Sequence, residues 1–157
     1  MKYMLKRADE MVNLSANDGY FSTLKSNYYW GSNMGIENDA MFLIMMNGIT
    51  PNEKYIETAR NLMNYLFGTN PMSTCYLTGS GTVSPQNPHH RMSQFLEKPC
   101  PGMLVGGPDC YFEDPYAKAV LIGTPPAKSY VDNNQSYSTN EVTIDWNSPL
   151  LFDLINI

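Results

Sequence analysis

Tyr130-Val131-Asp132-Asn133-Asn134-Gln135-Ser136-Tyr137-Ser138-Thr139-Asn140-Glu141-Val142-Thr143-Ile144-Asp145-Trp146-Asn147-Ser148 is the stretch on which the reading of this chain turns. Two carboxylates, Asp132 and Glu141, lie on the approach to a helix start, with Tyr130, Tyr137 and Trp146 around them. Ser138 and Glu141 have the S-x-x-E spacing of a capping box, which predicts Glu141 at the third helical position beside orphan backbone N–H groups. A carboxyl fixed among aromatic faces suits sugar chemistry. The rings stack on pyranose faces, and apolar surroundings can raise a carboxyl pKa until it serves as a general acid. The plainer reading is an ordinary helix cap beside core aromatics.

Taken whole, the run resembles the second active-site signature of family 9 glycoside hydrolases: an aromatic, Asp, a further aromatic, Glu, Thr and finally Asn-Ser, at the family's spacing. A second block resembles the other signature of that family, which ends in Pro-His-x-Arg. It comprises Leu77-Thr78-Gly79-Ser80-Gly81 followed by Asn87-Pro88-His89-His90-Arg91. Val83 and Cys75 depart from the family's usual choices there, and neither touches His89 or Arg91 in the motif. Similarity continues through Trp30-Gly31-Ser32-Asn33, Tyr65-Leu66-Phe67-Gly68-Thr69-Asn70-Pro71 and Gly102-Met103-Leu104-Val105-Gly106-Gly107-Pro108-Asp109, so it covers nearly everything from about Tyr28 onward.

The resemblance implies an all-α fold, the C-terminal portion of an (α/α)6 barrel with a long irregular active-site loop region. It implies a cellulase, an endo-β-1,4-glucanase that hydrolyses by inversion. Glu141 matches the general acid. Asp132 matches the other carboxylate of the signature and is expected to orient or tune its surroundings, because inversion forms no covalent intermediate. His89 completes the catalytic set and, with Arg91, is expected to bind the sugar beside the scissile bond. Imidazole and guanidinium donate to hydroxyls removed from water. Trp30, Tyr137 and Trp146 are expected to stack on sugar rings, against the plainer reading of buried barrel aromatics. His90 is expected to be structural.

An inverting enzyme also needs a carboxylate that activates water on the opposite face. The family takes it from an Asp-Ala-Gly-Asp-like motif near the start of the domain, and Asp9, Asp18, Asp39, Asp109, Asp114, Asp145 and Asp153 all have other neighbours. All 157 residues are therefore expected to form one incomplete domain whose N-terminal part, with the base, is its missing partner. The alternative is a fragment that binds glucan without hydrolysing it. A third reading makes Asp132, Asp109 and Glu113 a calcium-binding module, although no D-x-D-x-D-G loop occurs. The resemblance implies no cofactor for catalysis, a structural calcium in the intact domain, a β-1,4-glucan as substrate, and an extracellular location.

Composition agrees with a piece of a globular protein: 43% of residues are hydrophobic, which excludes a disordered chain. Net charge is −5 and the basic residues form no cluster, so neither nucleic acid nor an acidic membrane surface is an expected partner. The longest apolar run, Ala40 to Met46, is too short to span a membrane. Charges at Lys6, Arg7, Asp9 and Glu10 interrupt any signal-peptide pattern. Cys75, Cys100 and Cys110 include no C-x-x-C pair and define neither a disulfide framework nor a zinc site.

Apolar periodicity predicts helices over residues 2 to 13 and 35 to 46. A third follows Thr50 as N-cap, with Glu53 closing a capping box and Gly68 ending it. The last runs from about 140 to 155, bent at Pro149. Between Thr69 and Thr139, which holds nine of the eleven prolines, regular structure is expected to vanish. A partial barrel is also expected to leave uncovered the faces bearing Ile36, Met41, Leu62, Leu66, Leu150, Leu151 and Ile155.

Overall fold

Ile36, Ala40, Leu43, Ile44 and Met46 are all buried along helix α2 (Ser32–Ile49), which marks it as an interior helix rather than a surface one. The computed structural model describes Met1 to Ile157 and places α1 (Lys2–Ala16), α3 (Glu53–Leu66) and α6 (Ile144–Asn156) against it. Two short helices, α4 (Pro115–Leu121) and α5 (Tyr137–Asn140), and two single turns of 3-10 helix lie between α3 and α6. There is no β-strand; the extended pairings are single bridges, Leu77 with Leu104 and His89 with Glu141. No helix is long and apolar enough to cross a membrane.

Helices α1 and α2 extend beyond the predicted bounds because Ser15, Ser32 and Asn33 are buried and bonded despite their polarity. Ser15 donates to the Phe21 carbonyl at 2.6 Å, Ser32 to that of Pro108 at 2.7 Å, and Asn33 to that of Val105 at 2.9 Å. Helix α3 begins later than expected. Its cap is Asn52, which accepts from the Lys54 N–H at 3.1 Å, so the Thr50–Glu53 capping box does not form. The predicted last helix divides in two. Tyr137–Asn140 makes one turn, Glu141 is extended (φ −68°, ψ 153°), and α6 starts afresh from Thr143, whose side chain accepts from the Trp146 N–H. The Ser138–Glu141 box is therefore absent as well. Within the long loop region α4 was not expected. Asp114 caps it and Pro115 opens it, a start signal too short to show an apolar period.

Gly31 is required where the chain enters α2. Its φ of +82° is left-handed, and a Cβ there would lie 3.1 Å from the Trp146 ring. The indole thus locks the start of α2 to the first turn of α6.

The uncovered faces agree with those expected only in part. Ile36, Leu62, Leu66 and Leu150 are buried in one core cluster, because α2 is sandwiched between α3 and α6 and the inner faces cover one another. Leu151 and Ile155 on α6 are exposed as expected, together with Leu154 and with Met45 and Ile49 at the end of α2, while Met41 is half-buried.

The interface of α2 with α6 contains two acids, Glu37 and Asp153, both fully buried and with none of their four carboxyl oxygens hydrogen-bonded. Burial, and then the nearby Asp153, push Glu37 from 4.5 up to about 9; burial pushes Asp153 from 3.8 to about 7. A carboxyl whose pKa is raised by folding binds more protons folded than unfolded, so stability falls as pH rises from about 4.5 toward 9. Glu37→Met should remove most of that slope and stabilise the chain at pH 8 by roughly 1–3 kcal/mol, the cost of an unpaired buried polar group. Urea unfolding at pH 5 and pH 8 checks this; an unchanged slope would show that Glu37 is not the titrating group.

Candidate active site

Four side chains from three separated segments meet at the break between α5 and α6. Glu141 occupies the break itself. The Trp30 indole N–H donates to Glu141 Oε2 at 3.1 Å. The Trp30 and Tyr137 rings lie 5.3 Å apart between centroids, tilted by 44°, and His89 packs edge-on to Tyr137 at 5.9 Å. Trp30, at the mouth of α2, is 37% exposed, so part of its surface faces solvent beside the carboxyl.

The backbone at Glu141 is tied on two sides. Gly106 N–H donates to the Glu141 carbonyl at 3.0 Å and Gly107 N–H to that of Thr139 at 2.9 Å, while His89 N–H donates to the Asn140 carbonyl at 2.7 Å. Gly107 has a φ of +86°, and a Cβ there would meet the Asn33 side chain at 2.4 Å, which accounts for the second glycine of the pair. Asn147, in the Asn-Ser that ends the second signature, accepts from Leu104 N–H at 2.8 Å and pins α6 to this same segment.

Both oxygens of Asp132 are taken by donors. Its oxygens accept from the Gln86 N–H at 2.7 Å, the Asn87 N–H at 2.9 Å and the Asn140 side-chain amide at 2.9 Å. The carboxylate therefore gathers the start of the Asn87-Pro88-His89 loop and the end of α5. His89 is oriented in turn by its Nδ1, 2.5 Å from the Asn134 carbonyl. A carbonyl partner makes Nδ1 the protonated nitrogen and leaves Nε2 as the free one. His90 Nδ1 lies 2.9 Å from Ser93 Oγ, a local bond that agrees with a structural part.

Two expected ligand-binding residues lie outside this group. Arg91 is exposed at the start of the Met92–Phe95 turn; the ion pairs present, Lys6–Glu10 and Arg7–Glu10, do not include it. Trp146 is 7% exposed, with its ring packed close to Gly31 and Gly106, so it is not open to a sugar. Its placement corrects the stacking expectation: the ring serves as a spacer under the Glu141 segment. Asp109 accepts from the N–H groups of Tyr111 and Glu113, at 3.0 and 2.9 Å. No three His, Cys, Asp or Glu side chains gather as metal ligands, and Asp109, Glu113 and Asp132 are not brought together.

Sequence reasoning missed Asn140. It is fully buried, donates to the Asn87 carbonyl at 2.7 Å and to Asp132 at 2.9 Å, and accepts from the Tyr130 hydroxyl at 2.8 Å. The available signal was its type: Asn next to Glu141, inside what looked like a helix, favours a turn or cap.

The family model described as Glycosyl hydrolase family 9 matches residues 1–154. Endoglucanase D of Acetivibrio thermocellus is 38% identical over 153 residues, covering 96% of this chain and 22% of that protein. Cellulose 1,4-beta-cellobiosidase of the same organism is 38% identical over 156 residues, covering 92% of this chain and 17% of that protein. The solved structure of AaCel9A in complex with cellobiose-like isofagomine superposes with a TM-score of 0.93 at 35% identity, over 98% of this chain and 30% of the other. This chain thus spans about a fifth of these curated relatives. Its helices, without strands, form part of an (α/α)6 barrel, as its neighbours among solved structures do.

Asn140→Ala should leave the Asn87 carbonyl, Asp132 and the Tyr130 hydroxyl short of a partner, at a cost of about 1–3 kcal/mol. Hydrogen exchange should accelerate at the Gln86, Asn87 and His89 amides ahead of the α2 and α3 amides. Uniform acceleration throughout would show that Asn140 stabilises the fold generally and not this loop.

Proposed function

The chain belongs to glycosyl hydrolase family 9, and on that premise we propose that it is the C-terminal part of the catalytic domain of an inverting endo-β-1,4-glucanase acting on cellulose. One observation carries the reading: Glu141 stands half-buried at a break in the helices, its carboxyl held by the Trp30 indole and flanked by Tyr137 and His89. In this arrangement Glu141 protonates the glycosidic oxygen as the bond to the leaving sugar breaks. The Trp30 and Tyr137 rings offer apolar surface to a pyranose. His89 Nε2 and the Arg91 guanidinium bond the hydroxyls of the sugar at the point of cleavage. Asp132 keeps the His89 loop in register with Glu141, with its own oxygens already committed to donors.

The names of the relatives support a β-1,4-glucan as substrate and include both an endoglucanase and a cellobiosidase. The proposed location is extracellular, because insoluble cellulose does not enter a cell. No cofactor takes part in the proposed acid–base chemistry, and a structural calcium is proposed only for the remainder of the domain. The water-activating base is proposed to lie upstream, in the N-terminal part of the barrel.

In the complete protein, Glu141→Gln should lower kcat on cellulose by roughly 10²–10⁴-fold with binding nearly intact, because the amide fills the same space without a proton to give. An aryl cellobioside with an acidic leaving group needs less protonation and should lose far less. Equal loss on both substrates, or none, would reduce Glu141 to a structural role.

The 157 residues alone should release no reducing sugar from carboxymethylcellulose, since losing either member of the acid–base pair removes most of the rate. Turnover comparable to an intact cellulase would overturn the placement of the base outside this chain.

A further inference from the structure

Asp114 is 2% exposed and takes part in no ion pair, an expensive position for a carboxylate unless hydrogen bonds replace its water. It accepts four. Oδ1 takes the Ala117 N–H at 2.6 Å, which caps α4. Oδ2 takes the Ser136 hydroxyl at 2.8 Å, the Ser138 hydroxyl at 2.8 Å and the Ser138 N–H at 3.0 Å. One oxygen would suffice for the cap. The other is given wholly to the turn of chain that ends at Glu141.

We infer that Asp114 is a positioning residue for the acid step: it anchors the N-terminal end of α5 to α4 and so fixes where Glu141 stands relative to the substrate. The inference rests on the proposed role of Glu141 as proton donor. The opposite end of α5 is held by Asn140 through Asp132, Asn87 and Tyr130. A four-residue helix has too few internal bonds to keep its shape, so its two ends are set by these outside contacts. Asp132 aligns α5 with the His89 loop. Asp114 sets its other end, and the two carboxylates together leave Glu141 one place to be. Burial raises the Asp114 pKa, but bonds from Ala117, Ser138 and Ser136 outweigh it and hold the group below the ordinary carboxylate value. An amide in its place accepts with one atom only, so its NH2 must face either the Ala117 N–H or the Ser138 N–H, and α5 is no longer tied to α4 through both oxygens.

The test uses the complete protein and two substrates, a β-1,4-glucan and a dinitrophenyl cellobioside. Asp114→Asn should lower kcat on the glucan on the order of 10²-fold, the size expected for about 1 Å of misplacement, with KM nearly unchanged. On the aryl glycoside the loss should stay within about fivefold, since protonation matters little there. The paired variant Ser136→Ala/Ser138→Ala keeps Asp114 as the cap of α4 and should reproduce the substrate-dependent loss, even if Asp114→Asn folds poorly. Equal loss on both substrates, or full activity, would overturn the inference by showing that Asp114 supports the fold alone. Glu141→Gln, run beside them, separates the two ideas. If it shows no dependence on the leaving group, the reading of Glu141 fails. If it shows that dependence and the Asp114 and serine variants do not, only the role of Asp114 fails.

Discussion

Glu141 sits where the polypeptide is not helical, and everything around it follows from keeping that short extended segment in one place. A break between two helices frees carbonyl and N–H groups that must find partners elsewhere. Here they find them in the Gly106-Gly107 segment and at His89, each reached across a large sequence separation. The glycine pair lies close against Trp146 and Asn33, and the Trp146 ring in turn requires Gly31 at the entrance to α2. The segment that bears Trp30 is thereby fixed to the segment that bears Glu141, and the indole–carboxyl bond follows from that packing.

The division of labour among carboxylates comes from the same constraint. Asp132 and Asp114 accept bonds from backbone and side-chain donors on either side of α5, so their charge goes into holding shape. Glu141 has a single such bond, to Trp30. An acid that must give up a proton to a substrate needs an oxygen that is not already committed, and among these three only Glu141 has one. The Glu37–Asp153 pair is a different case: it lies inside the α2–α6 packing with no donors at all, far from economical, and it leaves the stability of the chain sensitive to pH. On the outer side of α6, Leu151, Leu154 and Ile155 are exposed, as expected of a barrel helix whose outward neighbours come from other parts of the domain.

Much of this was legible in the sequence, and the reasons for the misses are physical. The helices α1, α2 and α3 showed as apolar periodicity because each buries one stripe or more in a shared core. The family signatures named Glu141, Asp132 and His89, and the structure brings Glu141 and His89 together with Trp30 and Tyr137. The capping boxes at Thr50 and Ser138 failed because a spacing of Ser or Thr with Glu recurs by chance. Asn52 and Thr143 were better placed caps, and Ser138 was drawn away by Asp114. Trp146 read as a ligand platform because sequence carries no record of what covers a ring. Asn140 offered only its residue type and Asp114 not even that, because their importance lies in bonds to residues up to 53 positions away, which no local pattern encodes.

The central claim is that the turn before Glu141 holds its carboxyl at the bond to be broken. It is tested most directly by a crystal structure of the complete domain with an uncleaved β-1,4-glucan oligosaccharide bound. The account predicts a Glu141 oxygen within hydrogen-bond reach of a glycosidic oxygen, roughly 2.6–3.2 Å. The α5 turn should be unchanged, with His89 and Arg91 on hydroxyls of the adjoining sugar. A chain bound with Glu141 pointing away from every glycosidic oxygen, or with another acid in its place, would contradict it.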